Sequence, residues 1–335
     1  MKEKRYPLIP KNKQYLKLTV IIPTYNRASS LAETLETLIN QTYNHSDFEV
    51  LVVDNASTDN TKEVVSSFAS KSGGMVRYLY EPRRGSHFAR NGAVKHAKGD
   101  LLYFTDDDVL AESNMLEELV KTLDIDPEIA SVTGPVLAKW LTPPPEWVVN
   151  ISGKSSLSLI DLPYYLLVSN EDPGIFSCHQ LVRKSVLIEA GGYNPDIVNG
   201  EWLGDNETGL NIKIRKLGYK FAYTGKAVIH HQIPASRMTQ EYLNNRWANQ
   251  GNSDSYTDYR AKRYSAEELK RINCTFKKKI IKAHLKYRLL KLRGNEQWHM
   301  KQALTYYYKN RIRYNDKLIR DASWREMVLK DNWMD

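Results

Sequence analysis

The stretch Leu101-Leu102-Tyr103-Phe104-Thr105-Asp106-Asp107-Asp108 joins an apolar run to three consecutive carboxylates. The run has the length and composition of a buried strand, in which successive side chains point to opposite faces. This alternation predicts that Asp106 and Asp108 converge at the end of the strand, while Asp107 points the other way. Converging carboxylates suit a hard cation such as Mg²⁺ or Mn²⁺, which completes its shell with water and phosphate oxygens. A solvated acidic turn is the alternative interpretation.

Three further apolar runs precede this one, at 19–23, 49–53 and 75–80, and segments of helical spacing separate them, at 29–40, 60–70 and 86–97. Alternating strands and helices predict an α/β fold with a doubly wound, mostly parallel sheet and helices on both faces. Ligands of such sheets bind beyond the carboxyl ends of the strands. Polar clusters follow three of the four runs at that end, at 24–27, 54–55 and 106–108. We therefore expect one crevice to contain all three clusters.

The second half of the chain is less regular. Pro, Trp and Ser residues between 139 and 173 predict a long loop. Helices are predicted at 184–190 and 206–217, because glycines follow both segments, and short strands at 219–223 and 226–230. Beyond about residue 235 the chain is rich in Lys, Arg and Tyr and is predicted to be helical.

Composition narrows the class of protein. The 335 residues carry a formal net charge of +9, which indicates a polyanionic partner: nucleic acid, an anionic membrane or a phosphorylated substrate. Two cysteines, Cys178 and Cys274, are too few for a disulfide framework and too far apart for a metal knuckle. No stretch approaches the ~20 apolar residues of a membrane-spanning helix, and none has the length of a signal peptide, so we expect a cytoplasmic protein.

The first predicted strand is followed by Pro23-Thr24-Tyr25-Asn26-Arg27, not by a glycine-rich phosphate loop. This excludes the usual phosphate sites of Rossmann dehydrogenases and P-loop NTPases. Without glycines to wrap a diphosphate, the charge of a bound nucleotide must be met by a metal and by cationic side chains.

Four segments together resemble the donor half of family 2 glycosyltransferases in order and spacing: 20–27, 52–59, 89–91 and 106–108. The resemblance extends over about residues 18 to 252. It implies a GT-A type (Rossmann-like) fold and a metal-dependent, nucleotide-sugar-using, inverting enzyme.

The resemblance also implies roles for single residues. Tyr25 would lie against the nucleotide base, for which an aromatic ring is suited, and Asp54 would accept from the ring N–H, a contact that favours uracil. The implied nucleotide-sugar-binding residues are Pro23, Thr24, Tyr25, Arg27, Asp54, Arg84, Arg90, Asn91, Asp106 and Asp107. The implied metal ligands are Asp106, Asp108 and His231.

Several of these residues have ordinary alternatives. Tyr25 would equally serve as a core aromatic, and Asp54 as a turn aspartate. Arg84 and Arg90 could be solvated cations, and His231 a hydrogen-bonded structural histidine.

The catalytic base is less clearly marked, because the acidic pair of the family is altered here. The segment 204–210 reads Gly-Asp-Asn-Glu-Thr-Gly-Leu, and counting back from Gly218 aligns Glu207 with the aspartate that serves relatives as the base. We expect Glu207 to be the base, with Asp205 second and Glu201 third, since the acceptor hydroxyl must lose its proton. An acid stabilised by the dipole at a helix start is the alternative.

The C-terminal region carries a long basic segment. Between Leu269 and Asn295 there are ten Lys or Arg residues and no acidic residue, with apolar residues at helical spacing. A basic amphipathic helix of this kind can lie on an anionic membrane surface. Packing of the apolar side against the catalytic domain and binding of RNA are the alternatives.

We therefore predict an N-terminal extension (1–17), a GT-A catalytic domain (18–235) and a basic, mainly helical C-terminal region (236–335). The catalytic domain would consist of a donor half (18–138) and an acceptor half (139–235). The enzyme would move a sugar from a nucleoside-diphosphate donor, UDP by expectation, to a glycan or lipid-linked acceptor in cell-surface polysaccharide or glycolipid synthesis, with Mn²⁺ or Mg²⁺. A peripheral contact with the inner face of the plasma membrane is a further expectation, and binding of nucleic acid is not. A nucleotidyltransferase and a non-catalytic glycan-binding relative are the alternative functions.

Overall fold

The computed structural model describes residues 16–150, 154–198 and 200–334, so that nearly all of the predicted extension 1–17 lies outside the described residues. The strands are β1 (Leu18–Thr24), β2 (Phe48–Asp54), β3 (Val76–Tyr80), β4 (Leu101–Thr105), β5 (Val109–Ala111), β6 (Ile129–Thr133), β7 (Val136–Trp140), β8 (Leu166–Ser169), β9 (His179–Arg183), β10 (Ile197–Val198), β11 (Glu201–Trp202), β12 (Lys220–Thr224) and β13 (Ile229–Ile233).

The helices are α1 (Ala28–Ile39), α2 (Thr61–Lys71), α3 (Ser86–His96), α4 (Met115–Leu123), α5 (Glu146–Asn150), α6 (Lys184–Glu189), α7 (Asn206–Lys216), α8 (Gln240–Lys262), α9 (Ala266–Leu292), α10 (Trp298–Arg320) and α11 (Ala322–Leu329). Short 3₁₀ turns lie at Lys154–Leu157 and Ala235–Arg237.

The main sheet has the strand order β3-β2-β1-β4-β9-β6-β12-β8. Strands β1 to β4 are parallel to one another, as are β6 and β12, whereas β9 and β8 are antiparallel to their neighbours. A smaller sheet, β5-β13-β7, lies beside it. The predicted doubly wound, mostly parallel α/β fold is confirmed.

Strand β1 shows why this sequence forms a buried central strand. Leu18, Val20 and Ile22 pack in one hydrophobic cluster and Ile21 in the other, because neighbouring side chains point to opposite faces. The first cluster also contains Leu31, Leu35 and Leu38 of α1, and the second contains Ala89, Ala93 and Val94 of α3. Both faces of the sheet are therefore covered, which requires apolar residues along the whole strand.

The four strands and three helices predicted in the first half are all present, within about two residues of the predicted limits. Two expectations for the second half were wrong. The segment 139–173 is not only a loop, because it contains α5 and the edge strand β8, whose short sequence alternates weakly between exposed and half-buried residues. The last predicted strand, 226–230, begins three residues later as β13, since Lys226 lies in the turn after β12.

The C-terminal helices form a bundle in which α10 packs against both α8 and α9. A Cβ atom on Gly251 of α8 would lie 2.4 Å from the carbonyl oxygen of Tyr307, so only glycine allows this close approach. The bundle also contacts the catalytic part: Thr257 Oγ1 donates to Asp205 Oδ2 at 2.7 Å, and the Tyr314 hydroxyl donates to the Leu203 carbonyl. In the described ranges, we find no helix that combines the length and the apolar content needed to cross a bilayer.

Candidate active site

A cavity of about 990 Å³ opens where the carboxyl ends of β1, β2 and β4 meet. The crevice predicted from the three polar clusters is therefore present, and its wall includes residues from all three. Two of the predicted donor-binding residues, Asp54 and Asn91, lie outside the wall. The other eight line it: Pro23, Thr24, Tyr25, Arg27, Arg84, Arg90, Asp106 and Asp107.

The three aspartates do not alternate as a continuing strand would require. Strand β4 ends at Thr105, and the carboxylates follow it in a turn. Arg27 contacts both Asp107 and Asp108, at 3.0 and 2.9 Å, whereas Asp106 pairs with Arg90 at 2.9 Å. The predicted convergence of Asp106 with Asp108 was therefore wrong, because the alternation ends with the strand.

The pKa values of Asp107 and Asp108 are shifted in opposite directions. It raises the pKa of Asp107 to about 6, a shift that Arg27 opposes and Asp108 reinforces. Burial also disfavours ionisation of Asp108, but the His231, Arg237 and Arg27 side chains outweigh it and hold the pKa of Asp108 well below its usual range. Asp108 is therefore the firmly ionised member of the pair.

His231 Nε2 faces both a donor and an acceptor, so neither a proton nor a lone pair on this atom satisfies both contacts. His231 Nδ1 lies 3.0 Å from the Leu157 carbonyl oxygen, and Nε2 lies 2.7 Å from Arg237 Nη1 and 3.3 Å from Asp108 Oδ1. A proton on Nε2 would face the Arg237 N–H, whereas a lone pair there faces the carboxylate. Asp108 Oδ1 is buried and has no hydrogen-bond partner among the described residues.

This pair fits a divalent cation. Two ligands that hold one cation at right angles lie about 3 Å apart, close to the observed separation of Asp108 Oδ1 and His231 Nε2. In the described part of the chain, no three His, Cys, Asp or Glu side chains are grouped closely enough to hold a metal. The predicted trio of Asp106, Asp108 and His231 is thus not assembled among the described residues, and Asp108 and His231 are the pair that could hold a cation.

The cavity wall contains a stacked pair of side chains. The Arg84 guanidinium lies 3.3 Å from the centre of the Tyr25 ring, and both residues line the cavity. Tyr25 is 39% exposed, so it is not the core aromatic that was the alternative. A cation on an aromatic face forms a flat platform, on which a base can stack.

Asp54 is buried and does not line the cavity. Its Oδ1 accepts from the Ser57 N–H at 2.8 Å and its Oδ2 from the Tyr78 hydroxyl at 2.7 Å. The next residue, Asn55, lines the cavity instead. Its Nδ2 donates to the Glu81 and Arg83 carbonyls, and its Oδ1 accepts from the Gly85 N–H, so Asn55 fixes the segment that carries Arg84.

Two neighbours on α3 have different surroundings. Arg90 is buried, and its guanidinium donates to Ser86 Oγ at 2.8 Å and to Asp106 Oδ1 at 2.9 Å. Asn91 faces away from the cavity: its Oδ1 accepts from the Tyr193 N–H, and its Nδ2 donates to the Tyr193 and Trp333 carbonyls. Asn91 therefore holds the turn after α6 and the segment around Trp333.

The three candidate bases differ in burial and in their charged and hydrogen-bonding partners. Burial raises the pKa of Glu207, while its own N–H, Arg90 and Arg246 oppose the shift and Asp106 adds to it. Asp205 is buried and accepts from Asn194 at 2.8 Å and from Thr257 at 2.7 Å, beside a second cavity. Glu201 is exposed and pairs with Lys317. Glu207 is half-buried and is not part of the cavity wall, but of the three it is the one whose pKa is influenced by the cavity residues Arg90 and Asp106.

Comparison with known proteins decides the family. Residues 19–191, more than half of the chain, match the family model described as Glycosyl transferase family 2. The chain belongs to glycosyl transferase family 2. This membership decides against the nucleotidyltransferase.

Relatives of this family 2 glycosyltransferase match it over different lengths. Glycosyltransferase AglE of Haloferax volcanii is 37% identical over 106 residues, which are 32% of this chain and 35% of that protein. Validoxylamine A glucosyltransferase of Streptomyces hygroscopicus subsp. jinggangensis is 39% identical over 124 residues, 36% of this chain and 27% of that protein. The chain thus spans about a third or less of these two relatives. A glucosyl-dolichyl phosphate glucuronosyltransferase of H. volcanii is 25% identical over 243 residues, 68% of this chain and 73% of that protein.

A solved structure supports the fold along most of the glycosyltransferase chain. The mannosyltransferase PcManGT of Pyrobaculum calidifontis, in complex with GDP-Man and Mn²⁺, superposes with a TM-score of 0.60. The match covers 93% of this chain and 90% of that one at 20% identity. The architecture is therefore that of a GT-A glycosyltransferase.

One cavity residue of this family 2 glycosyltransferase, Asp196, is not marked by any sequence pattern. Its carboxylate accepts from Ser86 Oγ at 2.8 Å and contacts His87 Nδ1 at 3.0 Å. Because Arg90 donates to the same Ser86 hydroxyl, a chain of hydrogen bonds runs along the wall from Asp196 to Asp106. Asp196 follows an ordinary Asn-Pro pair, so no spacing marks it, and only the fold brings it to α3.

Asp196 makes stability depend on pH. Burial opposes its ionisation, but His87, Ser86 and the Ile197 N–H outweigh burial and lower the pKa of Asp196 to about 2. Because this value lies below that of the unfolded chain, the carboxylate stabilises the fold above about pH 4, and this contribution is lost as the pH falls towards 2. We expect Asp196→Asn to lower the free energy of unfolding by about 2 kcal/mol at pH 7, and by clearly less at pH 3.

Urea unfolding at pH 7, 4 and 3 measures this difference. The exposed Asp100 provides the control, since Asp100→Asn should change stability little at any of these values. A stability loss in Asp196→Asn that is the same at pH 7 and pH 3 would contradict the assignment.

Proposed function

We propose that this family 2 glycosyltransferase transfers a sugar from a nucleoside-diphosphate donor to a hydroxyl of a glycan or lipid-linked acceptor, in a metal-assisted single displacement with inversion. The observation that carries the proposal is the composition of the cavity wall. Five arginines line it, together with Asp106 and Asp107, at the edge where strands β1, β2 and β4 end: Arg27, Arg83, Arg84, Arg90 and Arg237. Such a wall suits a diphosphate, whose charge needs several cationic groups.

In this proposal Asp108 and His231 hold a divalent cation, Mn²⁺ or Mg²⁺. The assignment is supported by the buried contact between them, in which Asp108 Oδ1 has no hydrogen-bond partner among the described residues. The Mn²⁺ in the complex of PcManGT supports it as well. The cation would neutralise charge on the departing nucleoside diphosphate. Arg27 and Arg237 both contact Asp108. Their guanidinium groups would therefore lie near the cation and contact the donor phosphates there.

Glu207 is the proposed base. A general base works best when its pKa lies near the working pH, and burial shifts that of Glu207 in this direction. Asp205 remains the second candidate, although both of its oxygens already accept hydrogen bonds from Asn194 and Thr257. Asp106, bound to Arg90 near Glu207, would contact the ribose or the sugar.

The nucleobase would stack at the Tyr25–Arg84 platform. A uracil base is expected from the resemblance at Asp54, but Asp54 already accepts from Tyr78 and Ser57, so a base would have to share its oxygens or contact Asn55 instead. The GDP-Man bound by PcManGT makes a guanosine donor the competing choice. We retain 18–138 as the donor half and 139–235 as the acceptor half, with a role in cell-surface polysaccharide or glycolipid synthesis.

A panel of donors tests the proposal. Purified protein is incubated with UDP-sugars and GDP-sugars, with Mn²⁺ or with EDTA, and with oligosaccharide or polyprenyl-phosphate-linked acceptor pools. We expect release of the nucleoside diphosphate with one donor class, only with the metal and at a rate that an acceptor raises. Release of pyrophosphate, or no turnover with any combination, would contradict the proposal.

A further inference from the structure

Helix α9 packs against the bundle with one face only. Leu269, Asn273, Phe276 and Ala283 are buried on this face, and the Phe276 ring stacks with Tyr308 of α10 at 5.5 Å. The alternative interpretation placed the apolar side of this helix against the catalytic domain, whereas this face packs against α10 of the bundle. The remaining large aliphatic residues of α9 have other surroundings.

An apolar stripe lies on the opposite face. Ile281, Leu285, Leu289 and Leu292 are 62%, 63%, 47% and 87% exposed. Their spacing of four, four and three residues places them in one line along the helix, because an α-helix has 3.6 residues per turn. Four large aliphatic side chains in one exposed line are unusual for a face that only water contacts.

Cations border this stripe on both sides. At 100° per residue, Lys277 and Arg288 fall on one side of it, and Lys282, Lys286 and Arg293 on the other. All five are exposed. No acidic residue occurs from Leu269 to Asn295, so this charge is not neutralised within the segment. We call the stripe with its bordering cations the basic-apolar face.

We propose that the basic-apolar face binds the surface of an anionic phospholipid bilayer. The aliphatic side chains would enter the boundary between headgroups and acyl chains, and the lysine and arginine side chains would extend to the lipid phosphates. Because the described helices do not span a bilayer, this contact is peripheral.

Other occupants fit this face less well. A second copy of the chain would bring the same cations together and would be repelled. Nucleic acid would use the cations but not the aliphatic stripe, which offers neither hydrogen bonds nor aromatic stacking. The inference goes beyond the proposed function, and its test needs neither donor nor acceptor. The inference and the proposed function can therefore fail independently.

Vesicle flotation tests the proposal with the full chain. We expect the fraction of protein that floats to be about tenfold higher with vesicles containing about one third phosphatidylglycerol than with pure phosphatidylcholine vesicles. Leu285→Ser with Leu289→Ser, and separately Lys282→Glu with Lys286→Glu, should each reduce the bound fraction about tenfold. Lys62→Glu with Lys95→Glu makes the same charge change on exposed residues of α2 and α3, and should change binding less than about twofold.

A probe on Cys274 gives a second measurement. Cys274 is exposed and lies seven residues before Ile281, in line with the stripe, whereas Cys178 is buried and protected from labelling. An environment-sensitive fluorophore there should shift to the blue with anionic vesicles only. Any of these results would overturn the proposal: equal loss of binding in the Lys62–Lys95 control, equal binding of the leucine variant, or a concentration-dependent dimer that the leucine variant abolishes. An unshifted probe on bound protein would overturn it as well.

Discussion

Glu207→Gln is expected to reduce kcat for sugar transfer by a factor of about 10² to 10⁴, the range that a positioned general base contributes. The acceptor hydroxyl loses its proton as the new bond forms, and an amide cannot take that proton. Gln keeps the size and polarity of Glu207 and leaves Arg90 and Asp106 in place. Donor affinity, measured by calorimetry with the nucleoside diphosphate, should therefore change little. Protonation of Glu207 is expected to lower the wild-type rate as the pH falls, and this contribution should be absent from the variant.

Asp205→Asn is the matched control, since it makes the same chemical change two residues earlier. Asp205 accepts from Asn194 and Thr257, so its replacement should lower stability by about 1 to 3 kcal/mol, as expected for a disturbed buried hydrogen-bond pair. Its kcat, corrected for the folded fraction, should fall far less than that of Glu207→Gln. The opposite ranking of the two variants would move the role of base to Asp205, and wild-type activity in Glu207→Gln would remove it from Glu207.

Asp108→Asn is expected to abolish binding of Mn²⁺ at micromolar concentration and to lower transfer by about 10³, the effect of losing a strong electrostatic contact to the leaving group. The variant replaces the carboxylate beside His231 Nε2 by a neutral amide. It removes the ionised partner of Arg237 and leaves Arg27 paired with Asp107 alone. Electron paramagnetic resonance of added Mn²⁺, with and without the nucleoside diphosphate, measures binding apart from turnover.

Asp106→Asn separates metal binding from other effects of charge in the same turn. It weakens the contact with Arg90 but leaves Asp108 and His231 unchanged. We expect this variant to bind Mn²⁺ nearly as well as the wild type while losing activity. If Asp106→Asn loses Mn²⁺ and Asp108→Asn retains it, the ligand assignment is wrong.

Sequence reasoning succeeded where a single segment determines its own structure. β1 and β4 have to be apolar along their whole length, because both faces of the sheet are covered, and this pattern is visible without neighbours. Chain direction then places the residues after these strands at one edge, which is why Tyr25, Arg27 and Asp107 were correctly expected in one cavity.

Sequence reasoning failed where the position of a strand or side chain depends on a partner that is distant in the sequence. The antiparallel β9 lies between β4 and β6, and no local pattern indicates that insertion. The directions of Asp106, Asp107 and Asp108 depend on where Arg27 and Arg90 reach them. Asn91 was expected at the donor because the segment 89–91 resembles the family, but its partners are the backbone groups of Tyr193 and Trp333.

The bond between Asn91 and the Trp333 carbonyl has a consequence for biosynthesis. The two residues are 242 positions apart, so the ribosome must make most of the protein before the contact can form. Contacts of such long range close late and slowly. Helix α3, which carries Arg90 into the cavity, therefore receives its final support only after the C-terminal bundle has emerged. A nascent chain with a complete central sheet would still have an unfinished catalytic wall.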